Sequence, residues 1–204
     1  MTSAFPTFIF DLGGVLVRHD DELLYGRLAA RCADPQAAQP QMEACLSDKD
    51  IGSGRLGVEV LHARLAADHG FGESYAHFLE LWSSHFSPEP GMEPLVRSLA
   101  ERHRVVIFSN TNAAHADHIR ERYPVLGHAH ATYMSYELGL LKPDAAAFRR
   151  VLELEGRQPE DCVFIDDRAE NTAAAAALGI RTVTFTGRAA FIEAMAGFGV
   201  TIEL

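Results

Sequence analysis

The chain has 204 residues, enough for one sizeable core or for a core with a small inserted lid. Hydrophobic residues make up 48% and charged residues 23%, the balance of a soluble globular protein. The formal net charge of −10 argues against a duplex nucleic-acid partner, and no apolar run reaches the ~18 residues of a membrane span.

The N-terminus, Met1-Thr2-Ser3-Ala4-Phe5-Pro6, has no basic region followed by a long apolar stretch, so no signal peptide is expected. Cys32, Cys45 and Cys162 form no C-x-x-C pair, and their odd count fits reduced thiols in a cytoplasmic protein. Phe8-Ile9-Phe10 is the first predicted strand. Residues 18–88 then break the pattern, with no convincing strand. Val58, Leu61 and Leu65 share one helix face, and Gly52-Ser53-Gly54 and Gly70-Phe71-Gly72 punctuate the stretch. Phe78, Trp82 and Phe86 follow i, i+4, i+8 and predict a helix face buried in this segment's own core. Ser87-Pro88-Glu89-Pro90-Gly91 reads as a return linker.

Beyond it, strands and helices alternate. Met92, Leu95, Val96 and Leu99 mark a helix, and Val105 to Phe108 a strand. Ala131 to Met134 is a weaker strand. Phe148, Val151 and Leu152 mark a helix that Gly156 is placed to end. Val163-Phe164-Ile165 is a strand, with Cys162 beside it as a buried thiol. Asn171 to Leu178 is an alanine-rich helix stopped by Gly179, and Thr182 to Phe185 is the last strand. Continuous apolar strands alternating with helices predict the α/β class: a doubly wound parallel sheet with right-handed crossovers. The predicted division is an α/β core of residues 1–17 and 89–204, with a helical cap of 18–88 over the carboxyl edge of the sheet.

Four polar clusters follow predicted strands: Asp11-Leu12-Gly13-Gly14, Ser109-Asn110-Thr111-Asn112, Lys142-Pro143-Asp144 and Asp166-Asp167. In a parallel sheet these strand ends share one edge, so the clusters converge in one crevice. Asp166 and Asp167 near Asp11 repel one another, and an all-oxygen carboxylate set favours a hard cation such as Mg²⁺. Lys142 adds positive charge able to pair with Asp11 and with a phosphate oxygen. The Ser109 hydroxyl and backbone N–H groups near Gly13 and Gly14 add neutral donors. The set suits phosphoryl transfer from a small phosphorylated metabolite to a nucleophile of the protein.

The segments Phe-Asp-Leu-Gly-Gly-Val-Leu, Ser-Asn-Thr-Asn, Lys-Pro-Asp and Phe-Ile-Asp-Asp-Arg-Ala-Glu-Asn resemble, in order across residues 8–171, the four motifs of the haloacid dehalogenase-like hydrolase superfamily. The helical insertion resembles the cap of its first cap class, and the whole is similar to a small sugar-phosphatase subgroup typified by alpha-D-glucose-1-phosphate phosphatase. The resemblance implies Asp11 as the nucleophile that becomes an aspartyl-phosphate. It implies Ser109 with Asn110 as phosphate binders and Lys142 as the motif-three lysine. It further implies Mg²⁺ held by Asp11, the Gly13 carbonyl and Asp167, with Asp166 in support. Asn171 stands where many relatives carry a further acid.

One departure matters. Most phosphatases of the family carry an acid two places after the nucleophile, and here that place is Gly13. General acid–base help is worth ~10²–10⁴ in rate. The leaving group can be good enough to depart with little protonation, or a neighbour among His19, Asp20 and Asp21 substitutes, or the protein is slow or inactive. The sugar-phosphatase subgroup also carries Gly here. Two other functions compete: a phosphate-binding relative with an interaction or regulatory role, and a metal-independent 2-haloacid dehalogenase, which the Asp166-Asp167 pair disfavours. His115 with His118, and His128 with His130, lack a matching third ligand and read as surface or core histidines. Oligomeric state is not legible.

Overall fold

The computed structural model describes residues 6–200; Met1 to Phe5 and the side chain of Cys45 lie outside the described residues. In chain order the strands are β1 (Thr7–Phe10), β2 (Val17–His19), β3 (Phe86–Pro88), β4 (Arg104–Ser109), β5 (Ala131–Met134), β6 (Cys162–Asp166) and β7 (Arg181–Thr184). The helices are α1 (Asp21–Ala29), α2 (Pro35–Leu46), α3 (Lys49–Gly52), α4 (Val58–His69), α5 (Tyr75–Trp82), α6 (Met92–Ala100), α7 (Ala113–Arg122), α8 (Ser135–Leu138), α9 (Ala145–Glu155), α10 (Ala169–Ala176) and α11 (Arg188–Gly197).

Five strands form one sheet in the order β5-β4-β1-β6-β7, with every pairing parallel. Side chains alternate between its two faces because the strand period is 2. Phe8, Phe10, Val105, Ile107, Val163 and Ile165 pack on one face, with α6 and α11. Ile9, Val106, Phe108, Cys162 and Phe164 pack on the other, with α9 and α10. Both faces are covered, so the central strands read as unbroken apolar runs. This is the doubly wound parallel α/β architecture that the alternating runs predict. Each large side chain so buried contributes ~1.5–3 kcal/mol.

Helices α1, α2, α4 and α5 gather a separate cluster that includes Leu24, Leu28, Met42, Leu61, Leu65, Phe78 and Trp82. Their starts are written in the sequence. Asp20 accepts a hydrogen bond from the Leu23 N–H, and Ser74 from the His77 N–H, each satisfying a donor of the first turn. Gly156 ends α9 in the left-handed conformation, as its position predicts.

Two expectations change here. β2 and β3 pair antiparallel, with Val17 opposite Pro88 and His19 opposite Phe86. The strands are short, and their partners lie about seventy positions apart, so no local alternation announces them. Phe86 therefore belongs to β3 and not to the helix face of Phe78 and Trp82; α5 ends at Trp82. No helix among the described residues is long and apolar enough to cross a membrane.

Candidate active site

Asp11 follows β1, Ser109 ends β4 and Asp166 ends β6, three adjacent parallel strands. Their shared direction brings all three side chains to one edge. Lys142 arrives from the loop after α8, and Asn110 fixes it there. The Lys142 N–H donates to the Asn110 side-chain oxygen at 2.9 Å, and the Asn110 amide donates to the Lys142 carbonyl at 2.8 Å. Ser135 strengthens the same region: its hydroxyl receives the Thr111 N–H at 2.9 Å and donates to the Gly52 carbonyl at 2.6 Å.

The Lys142 ammonium is buried. It lies 2.9 Å from Asp11 Oδ1 and 2.7 Å from Asp166 Oδ2, and donates to the Phe108 carbonyl at 3.0 Å. Nζ also lies over the rings of Phe108 and Phe164, 5.3 and 5.4 Å from their centroids. Asp11 Oδ1 also receives the Leu12 N–H at 2.6 Å. Burial lifts the Asp11 carboxyl to about 6; Lys142 pulls it down, and Asp166 pushes it up. Asp166 has no exposed surface. Burial opposes its charge, but Lys142, the Arg168 N–H and Asn171 together hold its carboxyl below the usual range. Asn171 donates to both oxygens, at 2.9 and 3.0 Å. Asp167 is raised, first by desolvation and then by repulsion from Asp166.

The chain between Asp11 and β2 turns tightly. Leu12 accepts from Leu16 and Val17, and the Gly14 N–H donates to the Val17 carbonyl at 2.8 Å. Gly14 has φ +76, and a Cβ there would stand well inside the Asp167 carboxylate. Only glycine combines this backbone with that approach. The turn folds β2 back so that the His19 ring lies over Gly13; a Cβ on Gly13 would meet His19 Cδ2 at 3.3 Å. Nδ1 of His19 is bonded to Asp21 at 3.0 Å, which raises the imidazole and lowers the carboxyl.

These groups open on one cavity of about 500 Å³. Asp11, Gly13, Ser109, Asn110, Lys142 and Asp167 line its floor. The rest of the lining, its wall, includes His19, Asp21, His85, Phe86, His115 and Ile119. Burial presses His85 down to about 4, and burial with the neighbouring His85 presses His115 to about 3, so both rings are neutral near pH 7. The Asn112 amide lies 3.2 Å from His115 Nδ1, which assigns the ring proton to Nε2, donating to the Trp82 carbonyl at 3.1 Å.

The sequence matches the haloacid dehalogenase-like hydrolase family over residues 5–179. The chain belongs to that family, and it is an enzyme. It is similar to a HAD family enzyme of Bacteroides thetaiotaomicron solved with magnesium and inorganic phosphate. That likeness has 25% identity and TM-score 0.81, over 90% of this chain and 96% of the other. It is 24% identical to the D-ribitol-5-phosphate phosphatase of Bacteroides thetaiotaomicron over 183 residues, 85% of this chain and 88% of that protein. A shorter likeness, 43% over 53 residues, links it to the drimenol cyclase of Aspergillus calidoustus, of whose length this chain spans 10%.

In this haloacid dehalogenase-like hydrolase the eight residues singled out from sequence all lie at the same strand edge: Asp11, Gly13, Gly14, Ser109, Asn110, Lys142, Asp166 and Asp167. Asp11, Asp166 and Asp167 each offer a carboxylate oxygen within 4.8 Å of the others. One ammonium stands against these three carboxylates, a deficit of positive charge that a hard divalent cation fits. Both Asp166 oxygens already accept hydrogen bonds, so Asp167 is the freer ligand of the pair. Sequence reasoning missed the wall residues His85, Phe86, His115 and Ile119. His85 beside Phe86 was the available signal, but only the fold connects residue 85 with residue 115.

Proposed function

We propose that this enzyme is a Mg²⁺-dependent phosphomonoester hydrolase acting on a small phosphorylated metabolite, a sugar phosphate. The observation that carries the reading is the meeting of Asp11, Asp167 and Lys142 on the floor of one cavity. A carboxylate nucleophile, an acidic cation cradle and a buried ammonium are the parts that phosphoryl transfer to an aspartate needs.

In this reading Asp11 attacks phosphorus and becomes the aspartyl-phosphate, which water then cleaves. Oδ1 is held by Leu12 and Lys142, which sets the carboxylate's orientation. Lys142, the Ser109 hydroxyl and the backbone at Asn110, Gly13 and Gly14 bind the phosphate. Asp11, Asp167 and the Gly13 carbonyl would hold Mg²⁺, and Asp166 would support them through Lys142 and Asn171. When bound, the cation screens the charge between the carboxylate and the phosphate. Residues 18–88 act as a cap over a core of 1–17 and 89–204 and, with His115 and Ile119 from the core, set the leaving-group wall. That wall mixes imidazoles, a carboxylate and Phe86, a surface for the hydroxyls and carbon face of a sugar or polyol. The relative named as a D-ribitol-5-phosphate phosphatase supports the same substrate class. The buried free thiols Cys32 and Cys162 fit a cytoplasmic setting, and the net charge of −10 fits a small-molecule partner over a nucleic acid.

Phosphate release is measured from 4-nitrophenyl phosphate and from a panel of sugar phosphates, nucleotides and phosphorylated cofactors. The expected result is turnover that EDTA removes and Asp11→Asn abolishes. Turnover that persists without a divalent ion contradicts the mechanism, and tight phosphate binding with no hydrolysis across the panel supports a non-catalytic relative instead.

A further inference from the structure

Gly13 leaves the phosphatase reading without its proton donor, and the space its side chain would fill is not empty. His19 Cδ2 lies 3.3 Å and Nε2 3.7 Å from the position of a Cβ on Gly13. An acidic side chain at 13 would reach toward that same volume. The tight turn from Asp11 to Val17 and the pairing of His19 with Phe86 put the ring there. It lines the same cavity as Asp11, Ser109 and Lys142.

The other two neighbours in sequence are committed elsewhere. The Asp20 side chain caps α1 by accepting from the Leu23 N–H at 2.9 Å. The Asp21 carboxylate takes the Nδ1 side of His19 at 3.0 Å. That bond orients the ring, favours a proton on Nδ1 and stabilises the ring when both nitrogens are protonated. Among the described residues Nε2 has no hydrogen-bond partner. The charged groups around the ring are Asp21, Asp11 and Asp167, and His85 Nε2 lies 4.0 Å from the same Asp21 oxygen that His19 Nδ1 meets.

Resting on the phosphatase reading, we propose that His19, oriented by Asp21, is the catalytic residue that gives the leaving group its proton in place of the acid absent at Gly13. In the first half-reaction an Asp11 oxygen bonds to phosphorus as the ester P–O bond breaks. The electron pair stays on the departing oxygen, which takes the proton from Nε2. In the second half, water attacks phosphorus and gives a proton to Nε2. The Asp11–phosphorus bond breaks, and carboxylate and inorganic phosphate are restored. Asp21 is a positioning residue, acting only through the ring.

The test uses leaving-group dependence, with Mg²⁺ present. A 4-nitrophenolate departs with little protonation, whereas an alkoxide needs the full proton. kcat/KM is measured for 4-nitrophenyl phosphate and for the best alkyl ester in a sugar-phosphate panel, with wild type, His19→Ala and Asp21→Asn. For His19→Ala the alkyl ester loses ~10²–10⁴-fold, and that loss exceeds the loss on the aryl ester at least tenfold. Asp21→Asn shows the same selectivity with a smaller loss. Misfolded protein lowers both rates alike and cancels in the ratio within one preparation. Equal losses on the two esters overturn the role of His19 and leave the phosphatase reading standing. A wild type inert toward every ester overturns both. A turnover-free readout is the ¹⁵N–¹H spectrum of the imidazoles in metal-free protein. The expected Nδ1 proton of His19 is bonded to Asp21 and shifts in Asp21→Asn; its absence from the wild type overturns the orientation by Asp21.

Discussion

Asn110 and Lys142, thirty-two positions apart, hold one another by two hydrogen bonds of 2.9 and 2.8 Å between side-chain amide and backbone. The clasp ties the end of β4 to the loop that carries the buried ammonium. Position matters here, because misplacing a reacting group by about 1 Å can cost 10²-fold in rate. Asn110→Ala is expected to lower kcat/KM by roughly 10- to 100-fold. Asn110→Asp keeps the acceptor for the Lys142 N–H and is expected to retain more activity than the alanine variant. Steady-state kinetics on both variants, with melting temperatures to monitor folding, decide it; an alanine variant with wild-type kinetics contradicts it.

Asp11 trades stability for reactivity. Its carboxyl is raised from 3.8 to about 6 by burial, so the folded state binds its proton more tightly than the unfolded chain does. The sign follows: stability falls as pH rises through that window and stays reduced above it, on the order of 3 kcal/mol. Asp11→Asn is expected to abolish turnover and to be more stable than wild type at pH 7.5 in EDTA, since Lys142 keeps Asp166. Added Mg²⁺ is expected to raise the melting temperature of wild type more than that of the variant. Calorimetry with and without the ion checks both halves. A less stable variant in EDTA would sink the argument.

Gly14→Ala places a methyl group where the Asp167 carboxylate stands, on a backbone with φ +76 that disfavours any side chain. Asp167 has to move. The expected outcome is a loss of about 1–2 kcal/mol in stability from the backbone and at least tenfold weaker Mg²⁺ binding. Isothermal titration of Mg²⁺ into both proteins, with urea unfolding alongside, reads the two effects separately. Unchanged Mg²⁺ affinity would show that Asp167 is not a ligand.

His85, buried and depressed from 6.5 to about 4, makes the fold acid-sensitive. The unfolded chain binds the proton first, so its contribution is complete above pH 6.5 and is lost as pH falls toward 4, on the order of 3 kcal/mol. His115 acts in the same direction. Asp11 opposes them, since its burial cost relaxes below about 6. Urea unfolding at pH 7.5 and 5.0 therefore compares wild type with His85→Gln, which has no proton to bind. The variant is expected to lose less stability between the two pH values; equal slopes would refute the assignment.

Much of the sheet is legible because β1, β4 and β6 are buried on both faces, so Phe8-Ile9-Phe10 and Val163-Phe164-Ile165 need no alternation to be recognised. The floor of the site is legible for a related reason. Asp11, Ser109 and Asp166 are polar residues set where apolar runs stop, and parallel strands stop on one edge. The wall is different. Phe86 shares helical spacing with Phe78 and Trp82, and only a strand pairing with distant His19 removes it from their helix. His115 looks like a surface or core histidine with no role in a site until the fold brings it to the cavity, with Trp82 stacked on it at 4.7 Å. Asn171 holds Asp166 from the first turn of α10, a role its helical pattern does not announce. Such features depend on contacts between segments far apart in the chain, and periodicity carries no record of them.

The ribbon of β2 and β3 has a consequence for descent. Outgoing and returning chain run side by side, so both ends of the excursion between them are pinned about one strand spacing, ~4.8 Å, apart. Whatever is spliced between fixed ends leaves the order of the five parallel strands untouched. Natural selection can thus exchange one lobe for another, longer or shorter, without re-threading the scaffold that bears Asp11.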